Sequence, residues 1–449
     1  MIDHVAIVGG GFSGTLLAIN LLRHEGPRAT LIERRLDAGE GLAFGAAHPS
    51  HLLNVRAGNM SAFPDDPGHF VRWLEGQGIA DAGHAFIPRL TYGRYLRELL
   101  DAAQVRGGTR LTVLAGDVVD LTPGETARLA LQDGRSIAAD AVVLAVGNLP
   151  PHAPPGIPDA LPAACYAPDP WAPSALHGLG PDDTVLVLGT GLTMVDVALS
   201  LEASGFAGRI VALSRRGLLP HGHADPAAPA DPIRERPAGS LSALVGIVRA
   251  RADAIGWRSA IDELRPFTQG LWGATTTAER ERFLRHLRPW WDIHRHRLAP
   301  SVAERITAMR ARGQLSLTAG KLASVAPAGD GLHVTWRPRG ASVAAHLPVR
   351  RIINCTGPQG DLLRASEPLL QRLVARGSIR PDAARLGIDV DAQSRTVDAT
   401  GAGNDWLFAA GPMTRGAFWE IVAVPDIRAQ SWSLARRLSN AQWVGGEGL

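Results

Sequence analysis

The sequence is poor in two residue types that carry much of protein chemistry, cysteine and lysine. Cys165 and Cys355 are the only cysteines among the 449 residues, they stand far apart, and there is no CxxC pair. The missing pair argues against a reductase that works through a dithiol and a disulfide, and so few cysteines favour a reducing compartment. Lys321 is the only lysine, so a pyridoxal enzyme would need its Schiff base at that one position. There is also no G-x-S-x-G motif, so we expect a bound cofactor to perform the chemistry.

Long apolar runs and clustered charge are also absent. No apolar run approaches the length that spans a bilayer, and the N-terminus opens on a strand pattern rather than on the basic segment of a signal peptide. We therefore expect a soluble, cytoplasmic protein with no membrane partner. The net charge is +3 and the arginines are spread along the chain, which predicts no nucleic-acid partner. The apolar share of 45% and the length favour a globular protein of two or three domains, and the oligomeric state stays open.

The first motif with a chemical meaning is Gly9-x-Gly11-x-x-Gly14, which follows a strand pattern and opens a helix pattern. In such a turn the glycines allow a tight bend, a close approach of a pyrophosphate and close packing of helix on strand. Glu33 ends the next strand, where a carboxylate can accept hydrogen bonds from an adenosine ribose. A glycine turn alone is weak evidence, but strand, helix, second strand and acid are all in register. We therefore predict an FAD site here that includes Phe12 and Ser13.

A second unit of the same kind begins at residue 183, with Gly189-x-Gly191 in its turn. Its third motif position is Met194 instead of glycine, which weakens the match. Thr193, beside it, is expected to contact the bound cofactor. The second strand ends at Ser214, Arg215 and Arg216, with no carboxylate to bind a ribose 2′-hydroxyl. Arginine with serine can instead hold a 2′-phosphate, which favours NADPH over NADH. The alternative is that these arginines belong to a solvated loop.

The order of the patterns predicts an α/β fold with two dinucleotide-binding, Rossmann-like domains, the second inserted into the first. We expect an FAD-binding domain at 1–160 and 345–449, and an NAD(P)-binding domain at 161–344 with a helical insertion at about 240–312. Each nucleotide unit is followed by a predicted β-meander, at 109–149 and at 314–357. The helical insertion is a candidate to shape a substrate pocket, because small ligands favour clefts at domain interfaces.

Three strand ends complete the predicted cofactor contacts. Strands that end at Gly147 and Gly357 would return the chain to the nucleotide domains, although alone each is only a buried strand with a glycine end. The segment LFAAGP places Gly411 and Pro412 after another strand, and a helix follows near Pro425. Its N-terminus could stabilise negative charge on a reduced flavin.

The whole set of segments resembles the FAD/NAD(P)-binding oxidoreductases that include FAD-dependent urate hydroxylases and nitrosuccinate-forming aspartate N-monooxygenases. More distantly, the chain resembles the N-hydroxylating and Baeyer–Villiger flavin monooxygenases. The segments that carry the resemblance are VAIVGGGFSG, HLLNVRAGNMSAFPDDPGHFVRWL, FIPRLTYGRYL, VLVLGTGLTMVDVALSL, ALSRRGLLP, LRPWWDIHRHRLAP and LFAAGPMTRGAFWEIVAVPDIRAQ. The resemblance covers nearly the whole chain, but the segments that carry it do not specify one substrate.

The resemblance implies further site residues. Residues 54–61, with Asn54, Met60 and Ser61, would lie along the flavin. Val118 would meet the adenine through its backbone, and Trp419 and Glu420 would lie near the flavin ring.

The histidines and tryptophans of the second half give weaker signals. His221 and His223 lack a further ligand at metal-binding spacing, so a polar loop is the simpler interpretation. His294 and His296 stand two apart on a predicted helix and would face different sides. We expect no metal site. Trp290 and Trp291 fit a core or an interface better than a stacking surface.

The leading hypothesis is an NADPH-dependent flavin monooxygenase. NADPH would reduce FAD, O₂ would add to the reduced flavin, and the resulting hydroperoxide would hydroxylate a small polar substrate. No catalytic side chain is identified. One alternative is an NAD(P)H-linked reductase or dehydrogenase that passes electrons to another acceptor. The other is a sensor or scaffold that binds nucleotide without turnover, against which Glu33 and the two glycine turns argue.

Overall fold

The computed structural model of the protein describes residues 2–35, 38–224 and 232–439. The strands, in chain order, are β1 (His4–Val8), β2 (Arg28–Glu33), β3 (Leu111–Ala115), β4 (Val118–Thr122), β5 (Ala127–Leu131), β6 (Ser136–Ala139), β7 (Ala141–Leu144), β8 (Tyr166–Ala167), β9 (Thr184–Leu188), β10 (Arg209–Ser214), β11 (Leu315–Ala328), β12 (Gly331–Pro338), β13 (Ala345–Val349), β14 (Arg351–Asn354), β15 (Arg395–Val397) and β16 (Gly403–Ala409).

The helices, in chain order, are α1 (Phe12–Arg23), α2 (Gly41–Gly45), α3 (His69–Gly76), α4 (Arg89–Gly107), α5 (Leu192–Ala203), α6 (Leu241–Ile255), α7 (Trp257–Glu263), α8 (Thr268–Gly273), α9 (Thr277–Arg282), α10 (Arg288–Arg295), α11 (Pro300–Ala311), α12 (Pro368–Arg376) and α13 (Val424–Leu438). A π-helical turn, Phe283–Leu287, joins α9 to α10. None of the described helices is both long and apolar enough to cross a membrane.

The chain divides into two compact units. Unit 1 is formed by the described residues of Met1–Ala47, Val55–Leu149 and Gly360–Leu449, and unit 2 by those of His48–Asn54 and Pro150–Gln359. Residues 150–160 and 345–359, which the sequence patterns place in the first domain, therefore lie in unit 2. The reason for the second stretch is that β14 pairs with β9, Ile353 opposite Val187.

Unit 1 is built on a six-stranded sheet in the order β15-β16-β7-β1-β2-β3. All its neighbouring strands are parallel except β15, which pairs antiparallel with β16. The central strand β1 is buried at every residue, as the unbroken apolar run HVAIV predicts for a strand covered on both faces. Helix α1 is buried over its first ten residues and packs against α13 and α4.

The first predicted meander differs from expectation at its start. Strand β3 is not part of it, because β3 extends the main sheet in parallel with β2, with Leu31 opposite Val113. The long helix α4 precedes β3 and brings the chain back in the same direction, as a crossover connection requires. The meander itself is the separate three-stranded sheet β4-β5-β6.

Unit 2 is built on a seven-stranded sheet in the order β13-β12-β11-β10-β9-β14-β8. Strand β11 spans 14 residues and serves two partners. Its first residues pair in parallel with β10, and the residues from Gly320 onward pair antiparallel with β12. The second predicted meander is therefore continuous with the nucleotide-binding sheet. In the described part of the chain between β10 and β11 lie six helices, α6–α11, where the sequence predicts a helical insertion.

Both units thus contain parallel strands joined by helices in the dinucleotide-binding arrangement. The predicted α/β fold with two Rossmann-like domains is confirmed. In each unit the glycine motif lies between the central parallel strand and the helix after it, which is where phosphates bind in such folds.

Candidate cofactor sites

The first glycine turn has the geometry that a close approach of phosphate requires. Gly9 has a φ of +108°, and a Cβ on it would lie 2.3 Å from the Ala145 carbonyl oxygen. A Cβ on Gly14 would lie 1.9 Å from the Gly9 carbonyl oxygen. Gly11 precedes α1, and no side chain caps the helix. The free N–H groups at this helix start can therefore bind an anion, so the cradle fits a pyrophosphate.

Glu33 lies beside this turn at the carboxyl end of β2. Its Oε2 accepts a hydrogen bond from the Gly10 N–H at 2.6 Å, and its Oε1 accepts one from the Arg35 N–H at 2.9 Å. A carboxylate has about four lone-pair positions, so it can still accept from a ribose hydroxyl. The position predicted for an adenosine contact is thus adjacent to the position predicted for the phosphates.

Gly147 and Gly411 follow β7 and β16, which run parallel to β1. Both glycines therefore lie at the same edge of the six-stranded sheet as the first turn, the edge formed by the carboxyl ends of the strands. Gly411 has a φ of +82°, and a Cβ on it would lie 2.3 Å from the Ser13 Oγ. Gly411 therefore contacts the start of α1, and Pro412 begins a short 3-10 turn directly after it. The first two residues of α1, Phe12 and Ser13, are buried.

A buried tyrosine beside Phe12 was missed by the sequence analysis. The Tyr92 ring lies 6.1 Å from the Phe12 ring and 4.8 Å from the Phe44 ring, measured between centroids. Its hydroxyl is buried and has no hydrogen-bond partner among the described residues. Burial raises the pKa of Tyr92 well above its usual value, so the phenol stays protonated and can donate. Nothing in the sequence distinguishes Tyr92 from an ordinary core tyrosine on α4.

The residues that the resemblance places along the flavin fall in both units. Asn54 belongs to unit 2, where its carbonyl oxygen lies 3.0 Å from His223 Nε2. Met60 and Ser61 are buried in unit 1. Ser61 is fixed through its backbone, because Arg428 of α13 donates to its carbonyl oxygen at 2.8 Å. Val118 is buried at the first position of β4.

Trp419 and Glu420 are buried in unit 1 before α13. The Arg415 guanidinium lies over the Trp419 ring at 4.4 Å. Glu420 has a φ of +70°, which costs free energy for any residue with a Cβ. A surrounding structure that maintains such a conformation is typical of binding sites, which is consistent with the role that the resemblance implies.

The second glycine turn repeats the geometry of the first. Gly189 has a φ of +113°, and a Cβ on it would lie 2.2 Å from the Cys355 carbonyl oxygen. Gly191 precedes α5, which again has no side-chain cap. Met194 is fully buried at the third motif position, and Thr193 beside it is half-buried. Gly357 has a φ of +95° just after β14.

Ser214, at the end of β10, helps to shape the turn that follows it. Its Oγ lies 2.9 Å from the Thr190 Oγ1 and accepts a hydrogen bond from the Gly217 N–H at 3.0 Å. Arg215 and Arg216 come directly after Ser214. Both line a cavity of about 450 Å³ in unit 2, together with Arg285, Gly320, Lys321, Arg337, Pro338, Arg339, Gly340 and Ala341.

This cavity is strongly basic. Of the described residues that line it, six have cationic side chains and none has an acidic one. Such a field attracts a phosphate group. The two arginines of the predicted 2′-phosphate site therefore share the cavity with four cations from elsewhere in the sequence.

His221 and His294 lie in contact, a pairing that the sequence did not suggest. Their ring centroids are 4.7 Å apart, and each lies 4.8 Å from the Trp257 ring. Burial, His294, Arg258 and Arg297 lower the pKa of His221. Among the described residues, no group of three or more histidine, cysteine or acidic side chains is placed to hold a metal ion.

The two units define a chain with two dinucleotide-binding folds. Residues 6–149 match the protein family described as FAD-NAD(P)-binding, which covers the first glycine turn and Glu33. A sequence comparison with curated proteins gives no match.

Solved structures share the fold over almost the whole chain. Ornithine hydroxylase from Pseudomonas aeruginosa has a TM-score of 0.68 at 15% identity, with 98% of this chain and 99% of that chain covered. The FAD-bound cadaverine monooxygenase of desferrioxamine biosynthesis from Erwinia amylovora has a TM-score of 0.68 at 13% identity, with 98% and 95% covered. Thioredoxin reductase from T. acidophilum has a TM-score of 0.55 at 13% identity, with 98% of each chain covered. The chain thus has the fold of N-hydroxylating flavin monooxygenases, shared more loosely with thioredoxin reductases.

Proposed function

We propose that the protein is an FAD-dependent monooxygenase that uses NADPH to hydroxylate a small polar substrate. The observation that carries the proposal is the repeated glycine turn. Gly9 faces the Ala145 carbonyl and Gly189 faces the Cys355 carbonyl in the same way, each before an uncapped helix. One chain with two such turns can hold two dinucleotides, which a hydride transfer from nicotinamide to flavin requires.

We assign FAD to unit 1. The match of residues 6–149 to the FAD-NAD(P)-binding family supports this assignment, as does the shared fold with the cadaverine monooxygenase, whose solved structure is bound to FAD. Gly9, Gly11 and Gly14 would hold the pyrophosphate, Glu33 the adenosine ribose, and the Tyr92 phenol would donate a hydrogen bond to the bound group.

We assign NADPH to unit 2. Gly189 and Gly191 would hold its pyrophosphate at the start of α5, and Arg215 and Arg216 its 2′-phosphate in the basic cavity. The ornithine N-hydroxylase from Kutzneria sp. 744, which has a similar fold, has been solved with reduced FAD, NADP⁺ and L-ornithine. NADH has no 2′-phosphate and would leave the cavity's cations unpaired.

When bound, a reduced flavin supplies two electrons and activates O₂ for insertion of one oxygen atom. The residues of this chain would bind and orient the cofactors and the substrate, and they would exclude water from the reacting atoms. The buried Tyr92 keeps its proton at its phenol oxygen, and the strained Glu420 backbone fixes the approach to α13. No side-chain nucleophile is needed for such a reaction.

The similar structures support a proposal for the substrate class. These are hydroxylases or monooxygenases of ornithine, lysine and cadaverine, and all three compounds carry a primary amine. We propose a small polar substrate of this kind or, following the sequence resemblance, aspartate or a purine such as urate. The six helices α6–α11 are the proposed source of the substrate pocket.

A reductase without oxygen insertion is the second candidate, because the thioredoxin reductases share the fold. Against a dithiol mechanism, Cys165 and Cys355 are both free and buried, and burial raises the pKa of Cys355 well above its usual value. A thiol of raised pKa is a poor nucleophile.

The test is oxygen uptake by the purified, FAD-loaded protein with NADPH. It is run with and without ornithine, lysine, cadaverine, aspartate and urate, and hydroxylated product is measured together with the flavin spectrum. Oxygen use that one substrate stimulates, with product in equal amount, supports the monooxygenase. Reduction of an added electron acceptor at a rate that O₂ and these substrates leave unchanged supports the reductase instead.

A further inference from the structure

Apart from Arg285 of the π-helical turn, the residues that line the basic cavity of unit 2 form two walls from separate parts of the sequence. One wall is the turn after β10, with Arg215 and Arg216. The other is the meander β11–β12, with Lys321, Arg337 and Arg339. Nothing in the dinucleotide motif requires cations on the second wall, since a Rossmann 2′-phosphate site needs only the residues after its second strand.

The second wall places like charges directly opposite each other. Lys321 of β11 pairs across the ladder with Arg337 of β12. Directly opposed like charges in a sheet are destabilising, so their presence argues for an anion that binds between them. Lys321 is also the only lysine of the chain, so its place beside this cavity does not reflect a general abundance of lysine.

None of the six cations has a carboxylate partner within the described residues. In the same unit, by contrast, Arg305 and Arg312 both pair with Glu202, and Arg297 pairs with Asp262. Arg216 donates a hydrogen bond to a backbone atom, the Arg285 carbonyl oxygen, at 3.3 Å. The cavity therefore holds uncompensated positive charge, which is the electrostatic condition for phosphate binding.

The two walls meet at Ala319 of β11, which pairs with Ser214 at the end of β10. The Arg339 N–H donates to the Ala319 carbonyl oxygen at 2.9 Å. Gly217, in the turn after β10, has a φ of +61°, and a Cβ on it would lie 3.2 Å from Ala319. The turn and the meander thus meet at Ala319, so one phosphate group can contact cations from both.

We propose that Lys321, Arg337 and Arg339 form the second half of a phosphomonoester site and determine the preference for the 2′-phosphate of NADPH. This inference rests on the proposed function, which assigns NADPH to unit 2. It adds three residues from the meander to the two arginines that the dinucleotide motif predicts. A dianionic monoester fits this charge better than the diester of a pyrophosphate, which the glycine turn already holds.

The test is the binding of two probes, 2′,5′-ADP and 5′-ADP, to FAD-loaded protein by calorimetry. The variants are Lys321→Ala with Arg339→Ala, and Arg337→Ala alone. Lys321→Met, which keeps the aliphatic stem, shows whether a loss comes from the charge. The control is Arg310→Ala, because Arg310 lies exposed on α11 and lines no part of the cavity. The visible spectrum and the unfolding temperature establish that each variant is folded.

We expect the double variant to weaken 2′,5′-ADP binding by about tenfold or more, since it removes two charge-assisted contacts, and to change 5′-ADP binding by less than about twofold. If all three meander variants prefer 2′,5′-ADP over 5′-ADP as strongly as the wild type does, the inference is overturned and the NADPH assignment stays intact. Wild-type protein that binds the two probes equally, or binds neither, would overturn the inference together with the NADPH assignment.

Discussion

The carboxylate of Glu33 accepts a hydrogen bond from the backbone N–H of Gly10 at 2.6 Å. The last residue of β2 thereby holds the glycine turn from the side on which an adenosine would lie. Gly10 is buried, so water cannot replace the carboxylate there without a change in the turn. We therefore expect Glu33 to have two roles. It would stabilise the glycine turn in the protein without cofactor, and it would bind the adenosine ribose when the nucleotide is present.

Replacing Glu33 tests both roles. Glu33→Ala should lower the free energy of unfolding by about 1–3 kcal/mol, because the buried Gly10 N–H loses its acceptor. It should also weaken FAD binding, measured from the fluorescence of FAD released on dialysis. Glu33→Gln retains one acceptor oxygen and should recover most of the stability, but not the affinity. Glu75→Ala, at an exposed position of α3, is the matched control. If Glu33→Ala bound FAD as tightly as the control, the ribose assignment would fail.

Tyr92 offers a test that separates binding from stability. Because its buried hydroxyl has no described partner, Tyr92→Phe should leave the cofactor-free protein as stable as before, or more stable by about 1–3 kcal/mol. The same variant should weaken FAD binding by about twofold to tenfold, as the loss of one neutral hydrogen bond implies.

The neighbouring Tyr95 provides the control for Tyr92. Its hydroxyl lies 2.9 Å from His69 Nδ1 and accepts from the Ala62 N–H at 3.4 Å. Tyr95→Phe should therefore destabilise the protein by about 1 kcal/mol, measured by urea unfolding. Tyr92→Phe that behaved in the same way, with FAD affinity unchanged, would show that the Tyr92 hydroxyl has only a structural role.

The proposed preference for NADPH rests on Arg215 and Arg216. Replacing both with Ala should raise the KM for NADPH by at least about tenfold and change the KM for NADH by less than about twofold, since only the 2′-phosphate needs them. The double variant Arg249→Ala with Arg310→Ala removes the same charge from exposed helix positions and should leave both values unchanged. An unaltered ratio of the two KM values in the first variant would contradict the assignment.

The burial of His221 beside His294 makes stability depend on pH. Burial above all, then His294, Arg258 and Arg297, lower the pKa of His221 from its usual 6.5. The unfolded chain therefore binds more protons than the folded one below pH 6.5. The contribution of His221 to stability is fully present above that pH and is lost as the pH falls through the lowered pKa. Arg297, one of the cations that lower this pKa, forms an ion pair with Asp262.

Urea unfolding between about pH 5 and pH 8 measures this effect. The stability of His221→Gln should decline less steeply below neutral pH than that of the wild type. His286→Gln, at an exposed position of the π-helical turn, should keep the wild-type slope. Equal slopes for wild type and His221→Gln would show that His221 protonates as freely in the fold as in the unfolded chain.

Much of the fold could be predicted from the sequence because its signals are local. The apolar run before Gly9, the helical spacing after Gly14 and the repeat of both around Gly189 define the two nucleotide units. The predicted last helix near Pro425 is confirmed as α13. Each of these elements is determined by a short stretch of chain.

What the sequence did not reveal depends on pairing over long distances. Strand β3 joins β2 across the intervening helices, and β14 joins β9 rather than unit 1. The cavity gathers Arg215, Lys321 and Arg339 only because the turn after β10 meets the meander at Ala319. Likewise, His221 meets His294 through the packing of the helical insertion. No local pattern encodes such contacts, since neighbours in space come from unrelated positions in the chain.

The central claim is that the two units hold FAD and NADPH and that the second cofactor reduces the first. The most direct measurement is an anaerobic titration of the FAD-loaded protein with NADPH, followed through the visible absorbance of the flavin. We predict that the oxidised-flavin absorbance disappears as one equivalent of NADPH is added, at a lower concentration than with NADH. An oxidised-flavin absorbance that persists at saturating concentrations of both nucleotides would contradict the claim.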